Sequence, residues 1–145
     1  MPLVYRDLKP ANILLEETGR VRLLDLGCVC PAGETGSVAG TPGFGAPEQF
    51  VPGGRQEAAA DLYGLGKILL MTVGGKCRGP LKEVILACTA EEPEERLPDM
   101  RTLLELLTVC RKDGSKGRFD SVQKAWLRGG IRVRKNIWEY GGEKA

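Results

Sequence analysis

The 145-residue chain contains no histidine. Its absence removes every Ser-His and Cys-His nucleophile scheme, leaving carboxylate, lysine or metal-assisted chemistry as routes to catalysis. A long apolar run is also missing. The fourteen residues from Leu62 to Gly75 are broken by Lys67 and fall short of the roughly 20 that a bilayer span needs, so no membrane span is expected. The opening "MPLVYRD" has neither the basic region nor the apolar stretch of a secretory leader, and a cytoplasmic location is the expectation. The five cysteines are odd in number and scattered, which points to reduced thiols rather than a disulfide framework. Cys28 and Cys30 form a C-x-C, but no second pair stands at ligand spacing. Packing thiols are therefore favoured over a zinc site.

What is present suits one globular domain with a real core. The net charge of +2 is unevenly spread. Residues 111–145 carry ten Lys/Arg against four Asp/Glu, a local net of +6, which leaves −4 for the rest. The chain thus divides into a domain over residues 1–111 and a basic C-terminal tail over 112–145. Within the tail, "GSKGR" reads as a linker, "FDSVQKAWL" as a short amphipathic turn or two, and "IRVRKNIWEY" alternates like a strand. Its positive charge and two tryptophans suit an anionic surface. A solvated tail is the favoured reading, and nucleic acid is not an expected partner.

Secondary structure follows from pattern. Between Asn12 and Asp25, the runs "ILL" and "VRLLDL" flank "EETG", where Gly19 can take a positive φ, and this predicts a short β-hairpin. Residues 28–45 are rich in Gly, Pro, Ser and Thr without periodicity, a long loop with the character of a switch segment. "APEQF" reads as a single helical turn. "EAAADLYGLGKILLMTV" predicts a buried central helix ending at Gly74-Gly75. "PLKEVILACTAEE" predicts another, with Pro80 in its first turn and Leu81, Val84, Ile85 and Cys88 at helical spacing. A last helix starts at Asp99 as N-cap and places Leu103, Leu104, Leu106, Leu107 and Cys110 on its core face. The fold class is mainly α with a short β-hairpin.

Three motifs occur in order: "YRDLKPAN", "DLG" and "GTPGFGAPE". Any one alone is weak, but their ordered combination over residues 4 to about 110 resembles the C-terminal lobe of eukaryotic-type Ser/Thr protein kinases, with bacterial-like wording in "GTPGFGAPEQF". Phosphoryl transfer needs an in-line hydroxyl and neutralised phosphate charge, with little covalent help. The resemblance implies that Asp7 orients or accepts the substrate hydroxyl proton and that Lys9 sits beside the transferred phosphate. It implies that Asn12 and Asp25 bind Mg²⁺, which arrives with ATP. A carboxylate and an amide oxygen are the hard ligands that Mg²⁺ takes alongside phosphates and water. It further implies that Glu48 pairs with Arg96, that Asp61 holds the backbone around Arg6, and that Thr41 belongs to the platform for a protein substrate. Thr35 and Ser37 become phosphorylation candidates with Arg6 as receiving cation.

The sequence departs from the family pattern in places. Tyr5 stands where His is usual and Leu26 where Phe is usual, both as hydrophobic supports. The stretch between the central helix and "PLKEVILAC" is short, so the substrate-docking helix common there is reduced or missing. The family's N-terminal lobe, with its Gly-rich loop and phosphate-gripping lysine, belongs before residue 4, where three residues stand. The expectation is a C-terminal lobe with the N-terminal lobe absent and with little or no activity as an isolated chain. A missing N-lobe or a partner would cover the exposed lobe surface. The alternatives are a non-catalytic kinase-remnant interaction module and, less favoured, a small-molecule phosphotransferase of kinase-like fold.

Overall fold

The computed structural model describes residues 1–73, 75 and 78–112. The tail expectations, and the part of the central helix's end assigned to Gly74, lie outside those residues. Strand β1 (Leu3–Val4) pairs antiparallel with β4 (Cys30–Pro31), Val4 facing Cys30. Strand β2 (Ile13–Leu15) pairs antiparallel with β3 (Val21–Leu23), Leu14 opposite Arg22. Gly19 closes this hairpin at φ +79°, a left-handed conformation that glycine adopts without a Cβ clash. Its N–H donates to the Glu16 carbonyl at 2.8 Å. Single 3₁₀ turns at Pro10–Asn12, Pro47–Phe50 and Pro93–Glu95 each begin on a proline, whose fixed φ suits a first helical position and whose missing N–H is not needed there.

Three helices follow: α1 (Ala58–Thr72), α2 (Pro80–Cys88) and α3 (Met100–Lys112). The main core joins Leu62, Val84, Ala87, Cys88, Leu97, Leu103 and Leu106, with Leu65, Leu107 and Cys110 packed at its margin. A smaller cluster of Val4, Cys30, Ala46 and Ala60 ties the short β1–β4 sheet to the other side of α1. Asp99 caps α3, its Oδ1 accepting from the Thr102 N–H at 2.7 Å and the Thr102 hydroxyl at 2.8 Å. Burial pushes the Cys88 thiol up to about 12, so it packs as a neutral group. Among the described residues no helix is long and apolar enough to cross a membrane.

The structure corrects several sequence-based expectations. Leu104 is 66% exposed, because the buried stripe of α3 runs through 103, 106, 107 and 110, and a residue one step from Leu103 rotates about 100° away from it. Leu26 is likewise 66% exposed rather than seated as a buried hydrophobic support. The most continuously buried helical stretch is Val84–Cys88 of α2 rather than α1. In α1 the buried positions are mostly small: Ala60, Gly64 and Gly66 beside Asp61 and Leu62.

Those small positions set helix spacing. A Cβ on Gly66 would lie 2.6 Å from Cys88 Cβ and 2.7 Å from Thr89 Cγ2, so α1 and α2 approach only because it is glycine. Gly66→Ala gains about 1 kcal/mol of helix propensity. It incurs overpacking of about 1–3 kcal/mol, and the clash prevails because Cys88 is fully buried. A lower urea midpoint at unchanged m-value is the expected result.

Candidate active site

The site is built on an unusual backbone turn. Arg6 has φ +68°, a conformation that costs a non-glycine residue about 1–3 kcal/mol unless its surroundings enforce it. Asp61, in the first turn of α1, supplies part of that enforcement. Its Oδ2 accepts from the Tyr5 N–H at 2.7 Å and its Oδ1 from the Arg6 N–H at 2.8 Å. Burial raises the Asp61 carboxyl above its ordinary value, and these two amides and the Arg6 charge offset only part of that rise. The Tyr5 hydroxyl donates to the Leu24 carbonyl, linking this turn to the chain just before Asp25. Close behind, Gly64 of α1 lets the helix approach Leu8, whose Cβ would stand 3.1 Å from any Cβ placed there.

The turn delivers Asp7 into a closed polar network. Thr41 Oγ1 donates to Asp7 Oδ1 at 2.6 Å, and Lys9 Nζ donates to Thr41 Oγ1 at 2.8 Å. Lys9 Nζ also lies 2.9 Å from Asp7 Oδ2. Asn12 Nδ2 donates to Asp7 Oδ2 at 2.9 Å and to the Asp7 carbonyl at 3.0 Å. Burial pushes the Asp7 carboxyl up, but hydrogen bonds from Thr41, Lys9 and Asn12 and the Lys9 charge outweigh it and hold it below its ordinary value. The hydrogen bond to Asp7 in turn raises Lys9, against a smaller opposing effect of burial. Asp7 is therefore an ionised, oriented carboxylate beside a firmly protonated amine.

Asn12 is buried and Asp25 exposed, and the hairpin returns the chain so that Asp25 follows the residue bonded to Asn12. The Leu24 N–H donates to the Asn12 carbonyl at 2.8 Å, one residue before Asp25. Asp25 itself has φ +55°, and its Oδ1 accepts from the Gly27 N–H at 3.1 Å. Because the Asn12 amide nitrogen is committed to Asp7, the amide oxygen is the group left for a cation. One amide oxygen and one carboxylate fit Mg²⁺ arriving with phosphates, since Mg²⁺ keeps water and phosphate ligands rather than requiring an all-protein cage.

The long loop is fastened at several points. The Gly33 N–H donates to the Gln56 carbonyl at 2.7 Å, the Gln56 N–H donates to the Glu34 carbonyl at 2.9 Å, and Thr35 bridges to Arg55. Arg6 Nε donates to the Cys28 carbonyl at 2.5 Å and Nη1 to the Ser37 carbonyl at 3.3 Å. Thr35 and Ser37 are both exposed. The Arg6 guanidinium thus reaches Ser37 through its backbone.

Arg96 is anchored by all five of its N–H donors. Nη1 and Nη2 form a two-pronged pair with Glu48 at 2.6 and 2.8 Å. The remaining donors reach the carbonyls of Ala59, Ala90 and Glu91 at 2.8–2.9 Å. The Tyr63 ring lies 5.0 Å from the guanidinium, a distance for cation–π attraction.

Sequence reasoning passed over Gln49. It is 1% exposed, its Nε2 donates to the Arg6 carbonyl at 2.7 Å and the Ala39 carbonyl at 3.0 Å, and its Oε1 accepts from the Ala46 N–H at 2.9 Å. No period or charge pattern marks a buried polar residue inside a four-residue turn. The β2–β3 hairpin beside the site leaves Leu14, Leu15, Val21 and Leu23 exposed, Leu15 at 69%. Leu15, Val21 and Leu23 share one face of the hairpin, while Leu14 lies on the other with its partner Arg22, and an exposed apolar face of this kind commonly marks an interface.

The protein kinase domain family matches residues 1–104. Human beta-adrenergic receptor kinase 1 is 38% identical over 130 residues, covering 80% of this chain and 19% of that protein. The DNA damage-responsive serine/threonine-protein kinase RqkA of Deinococcus radiodurans is 42% identical over 79 residues, covering 50% of this chain and 12% of its own length. Serine/threonine-protein kinase PknA of Mycobacterium tuberculosis is 35% identical over 119 residues, with 74% and 27% covered. The chain therefore spans about a fifth of the length of the receptor kinase that it matches.

Proposed function

We propose, from the premise that the chain belongs to the protein kinase family, that residues 1–111 form the C-terminal lobe of a Ser/Thr protein kinase that transfers the γ-phosphate of ATP to Ser or Thr hydroxyls of a protein substrate. The observation that carries this reading is the Asp7–Thr41–Lys9 network. In this reading the oriented Asp7 carboxylate accepts the hydrogen bond, and then the proton, of the attacking hydroxyl. Lys9 offsets charge on the transferred phosphoryl group, and Thr41 keeps both side chains in one geometry. Asn12 and Asp25 would hold Mg²⁺, which, when bound with ATP, neutralises phosphate charge. Positioning of this kind supplies most of the catalysis in phosphoryl transfer. Glu48, Arg96, Asp61 and Arg6 act structurally, and Thr35 and Ser37 are candidate phosphorylation sites. Residues 112–145 are a basic appendage to the lobe, and the ATP-bearing cytoplasm is the compartment this chemistry expects.

The exposed β2–β3 face supports a further part of the reading: a second lobe or partner covers it and completes the nucleotide site. By itself the 145-residue chain is weakly active or inactive, because a misplacement of about 1 Å can cost about a hundredfold. The same face favours the second reading, a non-catalytic interaction module. The two are separated, in the chain joined to an N-terminal lobe, by replacing Mg²⁺ with paramagnetic Mn²⁺ in the presence of ATP and following the amide NMR signals. The catalytic reading expects broadening at Asn12, Asp25 and Gly27, unchanged signals in α3, and loss of the effect in Asp25→Asn. Broadening that is absent, or indifferent to Asp25→Asn, contradicts it.

A further inference from the structure

We propose that Gln49 is a positioning residue that latches the peptide preceding Asp7 to the segment carrying Thr41, and that its neighbour Glu48 fastens this latch to the helical core. The inference rests on the catalytic reading of Asp7 and Thr41 and adds to it the element that keeps them together.

Burying an amide side chain is unfavourable unless its polar groups are paired. Gln49 pairs both ends: Nε2 bridges the Arg6 and Ala39 carbonyls, and Oε1 takes the Ala46 N–H. Gln56 provides an internal contrast. It is equally buried at 1%, yet its Oε1 has no hydrogen-bond partner, so full pairing is not a general property of buried glutamines here. The three groups that Gln49 joins have distinct places in the chain. Arg6 is the left-handed residue immediately before Asp7. Ala39 and Ala46 bracket Thr41. One side chain thus ties both ends of the Thr41 segment to the turn that presents Asp7.

The latch has a firm base. Gln49 lies in the Pro47–Phe50 turn. In that turn Glu48 points to Arg96, which is bound to carbonyls of Ala59, Ala90 and Glu91. Two consecutive side chains therefore connect the helical core to the Asp7 turn. Gly40 shows how closely the latch fits. A Cβ there would lie 3.2 Å from Gln49 Nε2 and 3.3 Å from the Arg6 carbonyl oxygen.

The test is residue-resolved hydrogen exchange and NMR on the full chain, following backbone and side-chain amides in the parent, Gln49→Met and Gln49→Glu. Methionine keeps the approximate volume and removes all three bonds. Exchange over residues 38–46 should accelerate by about tenfold or more, the loss of one or more buried hydrogen bonds. The Asp7, Lys9 and Thr41 amide signals should shift, while Val84–Cys88 should exchange within about twofold of the parent. Gln49→Glu keeps the acceptor for Ala46 and loses the two donors, so Ala46 should stay slower than in Gln49→Met. Unchanged exchange over 38–46 in Gln49→Met, or acceleration that includes Val84–Cys88 equally, overturns the proposal. If both Gln49 variants fail to fold, the parent chain decides: Gln49 side-chain amide protons protected from exchange like the backbone amides of Val84–Cys88 support the proposal, and side-chain amide protons exchanging at the free rate overturn it. Amide exchange involves no phosphate transfer. Failure of the kinase reading would appear in the Mn²⁺–ATP experiment, and failure of the latch would appear here.

Discussion

Arg96→Met is expected to destabilise the domain by about 3–5 kcal/mol, the cost of removing one partner from a buried ion pair and stranding the other. The guanidinium is fully buried within a residue 2% exposed, and it places two donors on Glu48 and one on each of three carbonyls. Methionine fills much of the volume but leaves the carboxylate and the carbonyls without those donors. A domain of this size has only about 5–15 kcal/mol of stability, so the variant should sit near its unfolding transition at ambient temperature. Replacing both members removes the stranded charge, and Glu48→Leu with Arg96→Met should be more stable than Arg96→Met alone. Urea denaturation of the parent and the two variants measures this. A loss below about 1 kcal/mol in Arg96→Met would mean that the pair behaves as an exposed one.

The second large effect concerns Asp7. In the chain joined to an N-terminal lobe, Asp7→Asn should reduce phosphate transfer by about 10²–10⁴-fold, the range for removal of a positioned general base. Asparagine has nearly the same shape, so folding should survive. It lacks the negative charge that Lys9 approaches at 2.9 Å and that Thr41 reaches at 2.6 Å. The loss should therefore fall on kcat far more than on the KM for protein substrate, as expected for an interaction that matters most in the transition state. A KM rise with unchanged kcat would instead assign Asp7 to uniform substrate binding.

Different parts of this molecule were legible in the sequence to different degrees, for physical reasons. The helices were readable because α2 and α3 carry apolar residues at steps of three and four, and Asp99 and Pro80 mark their starts. Leu104 was misassigned because a leucine-rich helix offers more apolar residues than its buried stripe holds. The β1–β4 pair could not be foreseen, since two-residue strands are too short to show alternation. At the site, Asp7, Lys9 and Asn12 stand together in the motif "YRDLKPAN", and the resemblance that this motif carries implied their roles. Glu48 and Arg96 stand 48 positions apart, and only the resemblance connected them. Gln49 had no signature, because what defines its place is three backbone groups assembled from positions 6, 39 and 46.

The central claim is that these residues carry the substrate-facing half of a phosphoryl-transfer site and need a cover over the β2–β3 face to act. Its most direct test measures phosphate transfer from Mg²⁺–ATP to serine and threonine of a protein substrate, comparing the purified 145-residue chain with the same chain joined to the N-terminal lobe of a bacterial relative. The account predicts little or no transfer by the isolated chain, transfer by the folded joined protein, and its loss in Asp7→Asn. Robust transfer by the isolated chain, or a folded, nucleotide-binding joined protein that transfers nothing or is indifferent to Asp7→Asn, would contradict it.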